Sequence, residues 1–262
     1  MCTGFYSSLT TPLAPMVTAA SQRPIPPNIV VRAPDCPDPA RAALLIDKPD
    51  GPTSHDVVNQ IRRHFGGCKT GHAGTLDPLA TGLLILLLGS ATKLQAAFMH
   101  QGKTYRGTLR LGATTPTYDR EQPEDATYPW QHISDADLRT ATEQFKGTIT
   151  QRPPMYSAVR VRGERLYKKA RRGETAVRPP RHVTVDAFDI LNREGRDVTF
   201  EVVCSKGTYI RSLAHDLGQA LDSGAYLTAL RRTRIGTHSV GNAWELNALL
   251  HTCSPVTTST SS

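Results

Sequence analysis

The sequence predicts an α+β fold, and three observations carry that expectation. Apolar runs of strand length and amphipathic helical patterns are interleaved without the strict alternation of a doubly wound sheet. Helix starts are marked by capping residues, and one leucine-rich run has the continuous apolar character of a strand buried on both faces.

Element by element, Ala43-Leu-Leu-Ile46 reads as a buried strand, and Asp47-Lys-Pro-Asp-Gly-Pro52 as the turn that ends it. Thr53 or Ser54 caps a helix whose apolar residues Val57, Val58, Ile61 and Phe65 recur at helical spacing. A glycine-rich loop from Gly66 to Pro78 leads into Leu83–Leu88, the strand buried on both faces, and residues 105–111 form another strand. Ser134-Asp-Ala-Asp137 is a capping box that opens a helix through Leu138, Ala141 and Phe145. Val198–Cys204 is a strand, Ser205-Lys-Gly207 its turn, and Ile210, Leu213, Ala214, Leu217 and Leu221 share one face of the helix that follows. No internal repeat is present.

Three domain-level segments are expected: a disordered tail over residues 1–40, one catalytic unit over 41–251, and a second tail over 252–262. The first holds eight prolines by position 39 and no helical or strand period, so it buries too little to offset its ordering entropy. Met16 is an alternative start within it. The last stretch is rich in Ser and Thr.

Composition narrows the function classes. The formal charge of +8 points to an anionic partner, most commonly nucleic acid. Five scattered cysteines, with no Cys-x-x-Cys, argue against a disulfide framework and a structural zinc site and fit a reducing compartment. The longest apolar run has six residues, far below a membrane span, and the start lacks a secretory signal. A cytoplasmic protein is expected. Gly66-Gly-Cys-Lys69-Thr70 resembles a phosphate loop, but that motif needs Gly directly before the Lys.

The segment Gly71-His-Ala-Gly74-Thr-Leu-Asp77-Pro78-Leu-Ala-Thr-Gly82 carries more chemistry. Its glycines allow unusual backbone angles, and Pro78 biases Asp77 away from helix. That holds Asp77 on a loop ahead of a rigid strand, a common way to present a reactive side chain. Turn chemistry alone also explains the same residues.

The segment closely resembles the signature of the TruB family of tRNA pseudouridine synthases, and four further blocks extend the resemblance over residues 43–236. They are Leu44-Leu-Ile-Asp-Lys-Pro49 with Thr53-Ser-x-Asp-Val-Val; Tyr105-Arg106 with Leu111-Gly; Gly147-Thr-Ile-x-Gln-x-Pro-Pro154-x-Tyr156-Ser-Ala158; and Gly207-Thr-Tyr209-Ile-Arg211-Ser-Leu. The resemblance implies a mixed, mostly antiparallel central sheet flanked by helices, with the active-site cleft across it. It implies a monomer that isomerises uridine 55 in the T-loop of tRNA by base flipping, without metal or cofactor.

It also implies residue roles. Asp77 is the nucleophile; a carboxylate is ionised at neutral pH and forms a covalent adduct that splits one hard step into easier ones. Attack at C1′, attack at C6 and a glycal route all remain open. Arg211 pairs bidentately with the nucleophile. Tyr105 stacks on the extruded uracil, Tyr209 hydrogen-bonds or transfers a proton, and Leu230 packs the uracil pocket. His72 fills the space the base leaves, and Lys48 contacts a phosphate. Each has a plainer reading as a core aromatic, core leucine, structural histidine or solvated cation.

Nine Lys/Arg over residues 160–181, against Glu164 and Glu174, suggest an RNA-tracking surface. Relatives often have Thr-Asp-Thr-x-Asp after the Tyr strand. Here Thr115-Pro116-Thr117-Tyr118-Asp119 removes a carboxylate, so its pairing role is absent or moves to Asp119. The small C-terminal RNA-binding domain of many relatives is expected to be missing. Two other functions stay open, an RNA-binding or RNA-folding protein on the same scaffold and a sister synthase for another RNA.

Overall fold

The computed structural model describes residues 24–254 apart from Ala158 and Arg162. The expected tail segments 1–23 and 255–262 lie outside the described residues. Nine strands organise the fold: β1 (Val30–Val31), β2 (Arg41–Lys48), β3 (Thr70–His72), β4 (Ala80–Gly89), β5 (Lys103–Leu111), β6 (Gly147–Gln151), β7 (Arg181–Glu194), β8 (Asp197–Cys204) and β9 (Ala225–Ile235). They form one sheet in the order β1-β2-β4-β9-β5-β8-β7-β6, with β3 alongside β4. The pairs β1–β2 and β4–β9 are parallel and the other neighbours along this path antiparallel, so the sheet is mixed and mostly antiparallel. The helices are α1 (Ser54–His64), α2 (Gln95–His100), α3 (Asp135–Glu143), α4 (Leu166–Arg171), α5 (Ile210–Ala220) and α6 (Leu246–Thr252). This is the expected α+β architecture. Among the described residues no helix is long and apolar enough to cross a membrane.

Local chemistry accounts for the boundaries. Thr53 and Asp56 form a reciprocal capping box at α1, as Ser134 and Asp137 do at α3. β4 is buried on both faces: Leu84, Leu86 and Leu88 pack with α1 and α6, while Leu83, Ile85 and Leu87 pack on the other side with Ile29 and Phe98. The β5–β8–β9 half has its own core, which α3 and α5 cover with Leu138, Leu213 and Leu217. The parallel β4–β9 contact joins the two halves, and the loop bearing Asp77 ends at that seam.

Three expectations need correction: the extent of each tail, and the reading of the cysteines as unpaired. Residues 24–40 do not behave as a tail: Ile29 is buried, and Val30–Val31 add a parallel strand to the sheet edge. Those three apolar side chains supply the burial that the proline-rich composition concealed. Cys36 and Cys253 form a disulfide with their Cα atoms 5.6 Å apart, tying that segment to the end of α6. The cysteines lie 217 residues apart, so no local spacing advertises the pair. The expected second tail also begins late, because α6 runs through Thr252 and Cys253 is buried.

Candidate active site

Asp77 lies in the loop between β3 and β4, and buried cations hold that loop on both sides. Upstream of Asp77, the Arg232 guanidinium donates to the carbonyls of Gly74 at 3.0 Å and Thr75 at 3.4 Å, and it is tied to β4 by a bond to Leu83 O at 2.7 Å. Downstream, Lys48 Nζ donates to Pro49 O at 2.8 Å, Pro78 O at 3.0 Å and Ala80 O at 2.8 Å. Desolvation lowers the Lys48 ammonium to about 8, against the opposing pull of Asp50 and Asp77. The hydroxyl of Ser54, at the start of α1, accepts from Leu76 N–H at 2.8 Å and donates to Leu76 O at 3.0 Å. Gly82 has φ +98°, and a Cβ there would collide with the Arg232 backbone, so glycine is required where β4 meets β9.

Arg211 enters from the first turn of α5. Gln151, itself buried, fixes the approach: Tyr209 N–H donates to its Oε1 at 2.7 Å, and its Nε2 donates to Tyr209 O at 2.9 Å. The Arg211 side chain is 4% exposed and forms an ion pair with Asp77, Nε to Oδ2 2.9 Å. Its Nη1 lies 3.3 Å from Asp119 Oδ2 and donates to Thr117 O at 3.1 Å, while Nη2 donates to Tyr156 O at 2.9 Å. The expected bidentate grip on Asp77 is therefore a bridge between two carboxylates. Burial pushes the Asp119 carboxyl up, opposed by the Thr117 hydroxyl and by Arg211. With proline at 116, Asp119 is the carboxylate of this segment that pairs with Arg211.

Asp77 and Arg211 line a cavity of about 280 Å³ together with Tyr105, Tyr209, Leu230 and Ser157. Tyr105 is on β5, opposite Arg232 of β9, and burial raises its phenol. Leu230 is on β9 beside Ala80, and the Arg181 guanidinium lies 5.3 Å from the Tyr209 ring centre. A larger concavity of about 790 Å³ lies along α1, with Arg62 and Arg63 in its wall, and does not include Asp77.

Five of the seven sequence-predicted site residues therefore share one cavity. Lys48 does not: it is fully buried, and three backbone carbonyls surround its ammonium, so the expected phosphate contact is replaced by support of the Asp77 loop. His72 is half-buried on β3 and does not line the cavity; burial lowers its imidazole. The sequence reading missed Arg232, which sits beside Arg231 and Arg234 on β9 but is the buried one of the three. Within the basic segment, Glu164 and Glu174 pair with Lys169 and Arg172, so part of that charge is neutralised internally.

Comparison with known proteins places these features in a family. Residues 62–210 match the TruB family pseudouridylate synthase (N terminal domain), and residues 211–259 match the tRNA pseudouridylate synthase B C-terminal domain. The seam falls inside α5, so both segments build one sheet and one cavity. The chain is 46% identical over 213 residues to tRNA pseudouridine synthase B of Flavobacterium johnsoniae, covering 78% of this chain and 92% of that protein. It is 47% identical over 206 residues to the protein of that name from Syntrophotalea carbinolica, covering 79% and 67%. Among solved structures, a Cbf5-Nop10-Gar1 complex matches at 33% identity and TM-score 0.62, and an H/ACA RNP bound to a substrate RNA containing 2′-deoxyuridine at 31% and 0.60. Each match covers 80% of this chain, which spans about half the length of the matched chains, 53% and 52%.

Proposed function

We propose, from the premise that this chain belongs to the TruB family of pseudouridylate synthases, that it converts uridine 55 in the T-loop of tRNA into pseudouridine, with Asp77 as the nucleophile. The observation that carries the reading is the Asp77 carboxylate, paired with the buried Arg211 and opening on a cavity walled by Tyr105, Tyr209 and Leu230. The T-arm docks as folded RNA, recognised by shape, and the target nucleotide swings out of its stack. Extrusion costs a few kcal/mol. Stacking on Tyr105 returns about 1–3 kcal/mol of this, and Leu230 closes the other side of the slot.

The reaction exchanges one bond to C1′ for another. The N1–C1′ bond breaks, the uracil turns, C5 bonds to C1′, and the C5 proton leaves as N1 gains one. The Asp77 carboxylate serves each route, by attack at C1′, by attack at C6, or by taking the C2′ proton. Arg211 orients it and balances its charge without covering it, because a single nitrogen faces Asp77 while the rest of the guanidinium is held by Asp119, Thr117 and Tyr156. The loop is held by Lys48 and Arg232, so the nucleophile is presented with little freedom to lose. These residues suffice for the chemistry without metal or cofactor. The protein works as a monomer in the cytoplasm, where tRNA is found.

Mapping pseudouridine in a tRNA transcript treated with the protein tests the substrate assignment. Modification is expected at position 55 and abolished when that uridine is replaced by cytidine. Modification at another site, or of ribosomal RNA in preference to tRNA, would overturn it.

A further inference from the structure

The buried cations around the cavity are already engaged. Arg232 donates to Gly74, Thr75 and Leu83, Arg211 faces Asp77, Asp119, Thr117 and Tyr156, and Lys103 Nζ donates to Met99 and Gln101. Among the described residues of the wall, one buried hydroxyl stands apart. Ser157 is 4% exposed, lines the cavity, and its Oγ has no hydrogen-bond partner among the described residues. Its backbone is anchored independently: Ser157 N–H donates to Met155 O, and Ser157 O accepts from Tyr167 N–H. The adjacent Tyr156 carbonyl is held by Arg211, which places the hydroxyl beside the group that orients Asp77. An unpaired buried hydroxyl is costly and stands out in a folded protein. A uracil in this apolar slot brings polar atoms of its own, two carbonyl oxygens and N3–H, that would otherwise lose their water.

We propose that Ser157 is a substrate-binding residue whose hydroxyl donates a hydrogen bond to a carbonyl oxygen of the extruded uracil. The inference rests on the pseudouridine synthase reading above. It adds a base-edge contact to the stacking, packing and nucleophile roles already assigned. The missing partner in the free protein is then the substrate itself, a stability cost exchanged for recognition.

Wild type and Ser157→Ala are compared on transcripts carrying uridine, 2-thiouridine or 4-thiouridine at the target position, with kcat/KM and melting temperature as readouts. Loss of the hydroxyl is expected to lower kcat/KM on uridine about tenfold, with the melting temperature unchanged or raised. Sulfur accepts hydrogen bonds poorly, so one of the two thio substrates should be penalised with wild type and not further penalised with Ser157→Ala. Undiminished kcat/KM in the variant overturns the proposal. So do penalties for both thio substrates that are the same in the two proteins. Wild type that is indifferent to both thio substrates overturns it without recourse to the variant. Turnover of the uridine transcript by wild type stands as a separate control, since its failure would overturn the synthase reading rather than the role of Ser157.

Discussion

Replacing Arg211 with Met separates structural from chemical roles at the site. The side chain is 4% exposed and meets two carboxylates and two carbonyls, and Asp119 is wholly buried beneath it. Breaking a buried ion pair from one side strands the other charge and costs about 3–5 kcal/mol. The upper end is limited here, because burial already pushes the Asp119 carboxyl up and a stranded Asp119 takes up a proton. At about 2–4 °C per kcal/mol for a chain of this size, the melting temperature should fall by roughly 6–20 °C. Adding Asp119→Asn removes the stranded acid and should restore about 1–3 kcal/mol. Turnover should not return, because Asp77 still lacks its guanidinium; a loss of about 10²-fold or more is expected in both variants. Urea denaturation followed by circular dichroism gives the stabilities, and tritium release from 5-³H-uridine tRNA gives the turnover. An Arg211→Met protein within about 0.5 kcal/mol of wild type, or a double variant that regains turnover, would refute the reasoning.

Other perturbations follow from the same geometry. Arg232→Met frees the carbonyls of Gly74, Thr75 and Leu83 and loosens the Asp77 loop, so turnover should drop at least tenfold while filter-binding affinity for tRNA stays within about threefold. Burial pushes Asp216 up to about 6, so the folded state holds its proton more tightly than the unfolded chain; stability falls as pH rises from about 4 through 6, and the penalty is complete above that window. Asp216→Asn should therefore melt higher than wild type at pH 7 and show no advantage at pH 4, measured by thermal scans in the two buffers. Lys168 and Arg171 are exposed on α4, so their joint replacement by alanine should weaken tRNA binding and reduce the slope of log K against log salt by about 0.7–0.9 for each phosphate that is no longer neutralised.

The parts of the fold that were legible in the sequence are those fixed by local chemistry. Thr53 with Asp56, and Ser134 with Asp137, announce their helices because capping needs residues three apart. The leucine run of β4 announces a strand buried on both faces because nothing polar interrupts it. β7 and β9 were not read. β7 carries bulges at its pairing with β8, and β9 carries Arg231, Arg232 and Arg234, so neither shows a clean alternation. Asp77, Tyr105, Tyr209, Arg211 and Leu230 were found through the family resemblance, since turn chemistry and core packing explain the same residue types. Arg232 escaped, and Lys48 was assigned to a phosphate instead of the loop, for a shared reason: their partners are backbone carbonyls, which leave no trace in side-chain identity. The Cys36–Cys253 pairing is likewise a property of the folded ends and of no local spacing.

The central claim, that the Asp77 carboxylate does the chemistry, meets its most direct test in Asp77→Asn. The substitution keeps the size of the side chain and removes its charge. Tritium release from 5-³H-uridine tRNA is measured with wild type and the variant at matched RNA occupancy. The expected result is tRNA binding close to wild type with no tritium released; robust release by Asp77→Asn would contradict it.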